Sequence, residues 1–292
     1  MKVLLCGGNG QLGQALRQTL SGSDSGLELE AHGSETFNLT DSKQMARVFA
    51  SAKPDLVVNA SAYTAVDKAE SEQEQAHAVN HHGVRALAEL CRDQGARLIH
   101  VSTDFVFNGE QSTPYTTDAP CDPIGVYGES KRAGELAILE LLPSTAVIIR
   151  TAWLYSAHGA NFMNTMLRVM GQRDQLNVVY DQVGTPTCVD GLANLIARVA
   201  KDDGASGLLH WTDAGVASWY DFAVAIFEEA SALGLLTKPV SIAAIPTVEY
   251  PTPAKRPAYS VLDKTESYQR YAMPMTHWRV QLRHVLGQLA QD

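Results

Sequence analysis

A phenol and an ammonium stand four residues apart in Tyr127-Gly128-Glu129-Ser130-Lys131, a spacing that puts both on one face of a helix. A phenol titrates near ~10, so it exchanges protons poorly at neutral pH unless a neighbouring cation stabilises the phenolate. Lys131 is such a cation. A hydroxyl follows an apolar run in Val101-Ser102-Thr103-Asp104, where a strand end would present it. Near the start, Gly7-Gly8-Asn9-Gly10-Gln11-Leu12-Gly13 lies between an apolar run and an amphipathic one. There Gly7 suits the tight turn, Gly10 lets the backbone approach a pyrophosphate at a helix N-terminus, and Gly13 lets helix and strand pack closely. Dinucleotide binding is the expected role of that loop, Gln11 and Leu12 included. Thr103, Tyr127 and Lys131 then make a hydride-transfer triad. Thr103 hydrogen-bonds a carbonyl, Tyr127 gives it a proton, and Lys131 tunes Tyr127 and holds the nicotinamide ribose.

Those side chains need a scaffold, and the hydrophobic pattern supplies one. Short apolar runs at 3–6, 27–31, 56–59, 98–101 and 146–149 read as strands buried on both faces. Helical periodicity fills 11–20, 42–52, 73–94 and 126–142 between them. The expected fold is α/β: a Rossmann-type doubly wound parallel sheet over residues 1–153. After Trp153 glycines break the chain into shorter pieces, with helices expected at 161–171, 190–201, 219–233 and 277–289. Residues 154–292 are expected to form a smaller, partly interleaved substrate domain, some segments returning to the first.

With 292 residues, 45% of them hydrophobic, the chain can bury a large core. A net charge of −9, from 23 basic and 32 acidic residues, argues against a nucleic-acid partner, which needs a basic face. Cys6, Cys91, Cys121 and Cys188 are scattered, without a zinc or redox pair. The apolar run at the start stops at Gly7, short of the ~7 to 15 residues of a signal h-region, and no run approaches the ~20 of a membrane span. The expectation is a cytoplasmic protein with no membrane partner. Neither a His-Glu-x-x-His nor a Gly-x-Ser-x-Gly motif is present, so zinc-hydrolase and serine-hydrolase chemistry have no support.

The glycine spacing, Gly-x-x-Gly-x-x-Gly, resembles that of extended short-chain dehydrogenases. The resemblance implies that Asn38 and Leu39 touch the adenine, and that Ala60, Ala62, Tyr63 and Thr64 pass beside the cofactor. Cofactor choice is set after the second strand, where an acid would bind the ribose 2′-hydroxyl and an arginine a 2′-phosphate. Glu30-Ala31-His32-Gly33-Ser34-Glu35 has no arginine and no clearly placed acid, so NADPH and NADH both stay open.

Dehydratases of this group carry Thr-Asp-Glu where this chain reads Thr103-Asp104-Phe105. Phe105 cannot move a proton, which leaves carbonyl reduction. The segments Ser102 to Gly109, Arg150 to Tyr155, Asp181 to Thr187, Ser218 to Ala223 and Pro251 to Pro257 resemble those of dTDP-4-dehydrorhamnose reductases. That likeness implies reduction of the 4-keto group of dTDP-4-dehydro-L-rhamnose to dTDP-L-rhamnose for surface polysaccharide. It implies substrate contacts from Thr103, Asp104 and Trp153, and Arg256 is the candidate for the substrate pyrophosphate, because a guanidinium fork matches two phosphate oxygens. Some members hold Mg²⁺ with glutamates at a dimer interface. Ala15 stands here where one would lie, with Asp190 and Asp292 near the others, so no bound metal is expected, and either a monomer or a homodimer. The alternatives are a sugar-nucleotide epimerase, a reductase of another deoxyketosugar, or a non-catalytic subunit like the regulatory subunit of methionine adenosyltransferase.

Overall fold

Strands made of uninterrupted apolar residues must be covered on both faces, and here helices cover them. The computed structural model describes residues 1–21 and 26–291. Five strands of the first half, β1 (Lys2–Cys6), β2 (Glu28–His32), β3 (Leu56–Asn59), β4 (Arg97–Thr103) and β5 (Ala146–Thr151), lie parallel in the order β5-β4-β3-β1-β2. The order reverses at β1, and the crevice of a doubly wound sheet opens at the carboxyl ends beside such a reversal.

A sixth parallel strand, Gly207–His210, pairs with β5 from the second half of the chain. Its four residues, Gly-Leu-Leu-His, are too short a run to announce a strand, and the pairing edge of β5 is what recruits them. Helix α1 (Gln11–Leu20) buries Leu12, Ala15, Leu16 and Leu20, and these share one core with Leu192, Ala193, Leu195 and Ile196 of the Val189–Ala200 helix. The second half thus builds part of the first layer. A separate core forms around Tyr155, Met163, Phe222, Ile226, Trp278 and Leu282, beside a two-stranded parallel pair, Gln175–Val179 with Ser241–Ile245.

The expected helix 73–94 is continuous but not uniform. Its middle, Ala78–Gly83, is a π-helical turn between the α-helices Gln73–His77 and Val84–Gln94. The extra residue per turn is a feature that frequently marks functional sites. Here it lets Gly83 pass the Leu39 carbonyl, which lies 2.5 Å from where a Cβ would be, and it turns Asn80 inward.

Candidate active site

The carboxyl ends of β1, β3, β4 and β5 enclose a cleft of about 740 Å³. Gly10, Gln11 and Leu12 line one side, Ala60, Ala62 and Thr64 the floor, and Thr103, Asp104, Tyr127, Lys131, Trp153 and Arg256 the rest. Gly7 sits just behind, at a φ of 83°, with the Ala60 carbonyl carbon 2.8 Å from where a Cβ would be. Both the backbone angle and the approach require glycine. Gly10 caps α1 without a side-chain hydrogen bond, and no acidic residue occupies the first turn. The amides at that helix start therefore remain available, and the N-terminal dipole is unopposed, which fits the pyrophosphate of a dinucleotide.

Gly13 faces a different constraint. A Cβ there would strike the Gly7 carbonyl oxygen and lie 2.7 Å from Gly8 Cα. Gly13→Ala is expected to destabilise the protein by about 1–3 kcal/mol, as overpacking does, and to weaken dinucleotide binding by pushing the loop out. Urea unfolding with and without added cofactor measures both.

Tyr127 and Lys131 share the inner face of the Val126–Leu141 helix, Lys131 buried and Tyr127 half-buried at the cleft. Burial pushes the phenol up to about 12, a hydrogen bond with Thr103 pulls it down, and the Asp104 carboxylate raises it again. Thr103 also donates to Asp104 Oδ1 at 3.0 Å and accepts the Phe105 N–H at 3.2 Å. Burial raises Asp104 itself to about 6, against hydrogen bonds from Ser260 and Thr103 that pull it down. Lys131 is drawn toward β4: Nζ donates to the Val101 carbonyl at 2.8 Å and lies 3.2 Å from His100 Nε2. Burial lowers it to about 8, with the Glu135 carboxylate pulling upward.

Trp153 stacks on Trp219 with ring centres 3.5 Å apart and planes at 7°. Its backbone is left-handed, φ 46°, a costly conformation for a bulky residue. Gly184 makes room, since a Cβ there would lie 2.8 Å from the indole. Arg256 reaches the cleft already forked onto Asp67, at 3.0 and 2.8 Å, and this hydrogen-bonded guanidinium holds the Asp67 carboxyl below its ordinary range. Besides Gly7, three expected cofactor residues lie off the cleft wall. The Asn38 amide oxygen accepts from the Thr40 N–H and hydroxyl, Leu39 is buried in the core beside Val84 and Leu87, and the Tyr63 hydroxyl donates to Glu72 at 2.7 Å.

With this geometry in view, the comparisons are consistent. The family model of the RmlD substrate binding domain matches residues 1–291. A dTDP-4-dehydrorhamnose reductase of Escherichia coli (strain K12) is 39% identical over 295 residues, covering 99% of this chain and 98% of that protein. The chain belongs to the dTDP-4-dehydrorhamnose reductase family. A crystal structure of such a reductase from Clostridium acetobutylicum superposes with a TM-score of 0.91 at 36% identity, covering 99% of each chain. Another, from Bacillus anthracis in complex with NADP, gives 0.90 at 31%, covering 98% of this chain and 99% of that one.

Ala15, which offers no ligand atom, is buried on α1 against the Val189–Ala200 helix, and Asp190 opens that helix; Asp292 lies outside the described residues. Among the described residues no three His, Cys, Asp or Glu side chains are grouped to hold a metal ion. Also among them, no helix is long and apolar enough to cross a membrane.

Several polar residues that position the site escaped the sequence reading. Asn80, on the π turn, accepts the Tyr63 N–H at 2.9 Å and donates to the Tyr63 carbonyl at 3.0 Å and to Ser130 Oγ at 3.1 Å. It pins the Ala62-Tyr63-Thr64 backbone to the Tyr127 helix. Arg17 donates to the Gly8 carbonyl at 2.8 Å and the Ala31 carbonyl at 3.2 Å, bringing from α1 a guanidinium that the segment after β2 lacks. Its position one helical turn after Gly13 was the available signal. Arg150 and Glu135 form a buried pair behind Ser102, and an arginine inside the apolar run of β5 was the clue.

Proposed function

We propose that this chain reduces the 4-keto group of dTDP-4-dehydro-L-rhamnose to dTDP-L-rhamnose, with NADPH or NADH as the reductant. The observation that carries this is the convergence of Thr103, Tyr127 and Lys131 on the cleft beneath the glycine loop, in a chain so similar to reductases of that name. A bound dihydronicotinamide supplies the hydride. The α1 amides and Gly7, Gly10, Gln11 and Leu12 would bind its pyrophosphate, with Ala60, Ala62 and Thr64 flanking the ring. Asn38, Leu39 and Tyr63 would act from outside the cleft wall, through their backbone. Arg17, at the end of β2, favours the 2′-phosphate and hence NADPH.

Thr103 would donate its hydroxyl to the substrate carbonyl, giving up its bond to Asp104. Tyr127, held protonated by burial, would deliver the proton to the oxygen as it becomes an alkoxide. Lys131 would carry the compensating charge and hold the ribose. Trp153, braced by Trp219, would flank the sugar, and Arg256, preset by Asp67, would meet the diphosphate.

The purified protein is expected to oxidise NADPH stoichiometrically when offered dTDP-4-dehydrorhamnose, followed at the nicotinamide absorbance band, and more efficiently than NADH. A cofactor regenerated on each cycle would point to epimerisation instead, and no oxidation with any ketosugar would end the reading.

A further inference from the structure

Behind Lys131 the wall of the cleft holds two buried polar side chains to which the reduction assigns no role. Asn59 on β3 and His100 on β4 are cross-strand partners, and both are fully buried. Nδ2 of Asn59 lies 3.0 Å from Nδ1 of His100, and Nε2 of the same ring lies 3.2 Å from Nζ of Lys131. The orientation of the Asn59 amide is set from its other end, where Oδ1 accepts the Ser61 N–H at 3.0 Å. Turned over, it would put an NH2 group against that N–H.

Counting protons decides what these contacts mean. A neutral imidazole carries one N–H and one bare nitrogen, an ammonium can only donate, and a neutral amine can also accept. With Asn59 donating to Nδ1, the ring proton sits on Nε2 and points at Nζ, which accepts it only as the neutral amine. If Lys131 is an ammonium it donates to a bare Nε2. The ring proton then moves to Nδ1, where it meets the Asn59 NH2 group, donor against donor.

We propose that His100, oriented by Asn59, is a positioning residue that couples the charge of Lys131 to the tautomer of its ring and biases Lys131 toward the neutral amine. In the step, Lys131 as ammonium with the ring protonated on Nδ1 becomes Lys131 as amine with the ring protonated on Nε2, releasing one proton to solvent. No electrons move. The coupling rests on the reading of Lys131 as the charged partner of Tyr127, and it makes that charge depend on pH near neutrality, where an ordinary lysine would stay ionised.

The electrostatics agree with the geometry. Burial takes His100 well below its ordinary value, and the charge of Lys131 lowers it further, so the ring is neutral as the count requires. From its own helix Lys131 faces Glu135, which is matched by Arg150 and Arg132. Tyr127 shares that helix, and Asp104 lies past the end of β4; both line the cleft with Lys131.

The test uses the whole protein with its histidine rings labelled with ¹⁵N. Long-range proton–nitrogen spectra are recorded between about pH 6 and pH 10, spanning the lysine titration, and the His100 signals are assigned by their loss in His100→Gln. The bare nitrogen is expected to move from Nε2 to Nδ1 as pH rises. In Asn59→Asp, which keeps an acceptor for Ser61 but also accepts from Nδ1–H, the ring should hold Nε2 bare throughout. The alkaline limb of kcat in that variant should move up by about one pH unit or more.

One fixed tautomer across the range in the parent protein overturns the proposal. So does an equal kinetic shift for Asn59→Asp in a His100→Gln background, which would make it a plain charge effect. If Asn59→Asp does not fold, the spectrum of the parent protein still decides. A ring that switches in a protein without ketosugar reduction would sustain the coupling and sink the functional reading, so the two failures are distinct.

Discussion

Tyr127→Phe is expected to lower kcat by roughly 10² to 10⁴-fold, the usual cost of losing a positioned proton donor, while cofactor affinity stays unchanged. Desolvation pushes the phenol up to about 12, so at neutral pH it is protonated and ready to give. The nearest alternatives are poor. Asp104, raised to about 6, is mostly ionised at pH 7, and the Thr103 hydroxyl is a far weaker acid. The substitution is mild on the fold, since the ring packs edge-on against Phe105 with centres 5.5 Å apart, a contact phenylalanine keeps. Steady-state turnover with dTDP-4-dehydrorhamnose and a cofactor titration by fluorescence measure the two quantities. Turnover within tenfold of the parent, with binding intact, would remove Tyr127 from the chemistry.

Glu135→Gln is expected to cost about 3–5 kcal/mol of stability, because breaking a buried ion pair leaves the other charge unmatched. Arg150 is 1% exposed and Glu135 fully buried. The carboxylate accepts from Arg150 Nε at 2.9 Å and Nη2 at 2.8 Å, from Ser102 Oγ at 2.6 Å and from Arg132 at 2.8 Å. Burial alone would push this carboxyl up, but the hydrogen bonds and charge of Arg150, with Ser102 and Arg132, hold it below its ordinary value. A depressed folded value means the stabilisation is complete above the ordinary carboxylate pKa and is lost as pH falls through the folded one. The glutamine variant should therefore be less stable at pH 7 and lose less on acidification. Urea unfolding at several pH values reads both, and a parallel acid limb in parent and variant would contradict the assignment.

Much of the site was legible because its signals are local. The turn of Gly7, Gly10 and Gly13, the Tyr127 and Lys131 pair, and the first-half strands and helices each depend on residues within one or two turns of one another. Their order along the chain then matched one family. The elements that were missed have non-local causes. Gly207–His210 becomes a strand because β5 offers an open edge. The π turn at Ala78–Gly83 answers the close passage of Leu39, which no periodicity within that segment reports. Asn38, Leu39 and Tyr63 were placed by likeness of motif alone, and their side chains turned to Thr40, the core and Glu72.

By itself, then, the sequence determined the α/β architecture and singled out the glycine turn and the Tyr127 and Lys131 pair as the candidate site, all through spacing along one element. Only the tertiary structure decided which buried groups those residues answer to. Asn59 meets His100, and Ser102 meets Arg150, because the parallel register of β3, β4 and β5 sets them side by side. Register between strands far apart in the chain follows from how whole faces pack, and a helix laid across it then delivers Lys131 to one pair and Glu135 to the other.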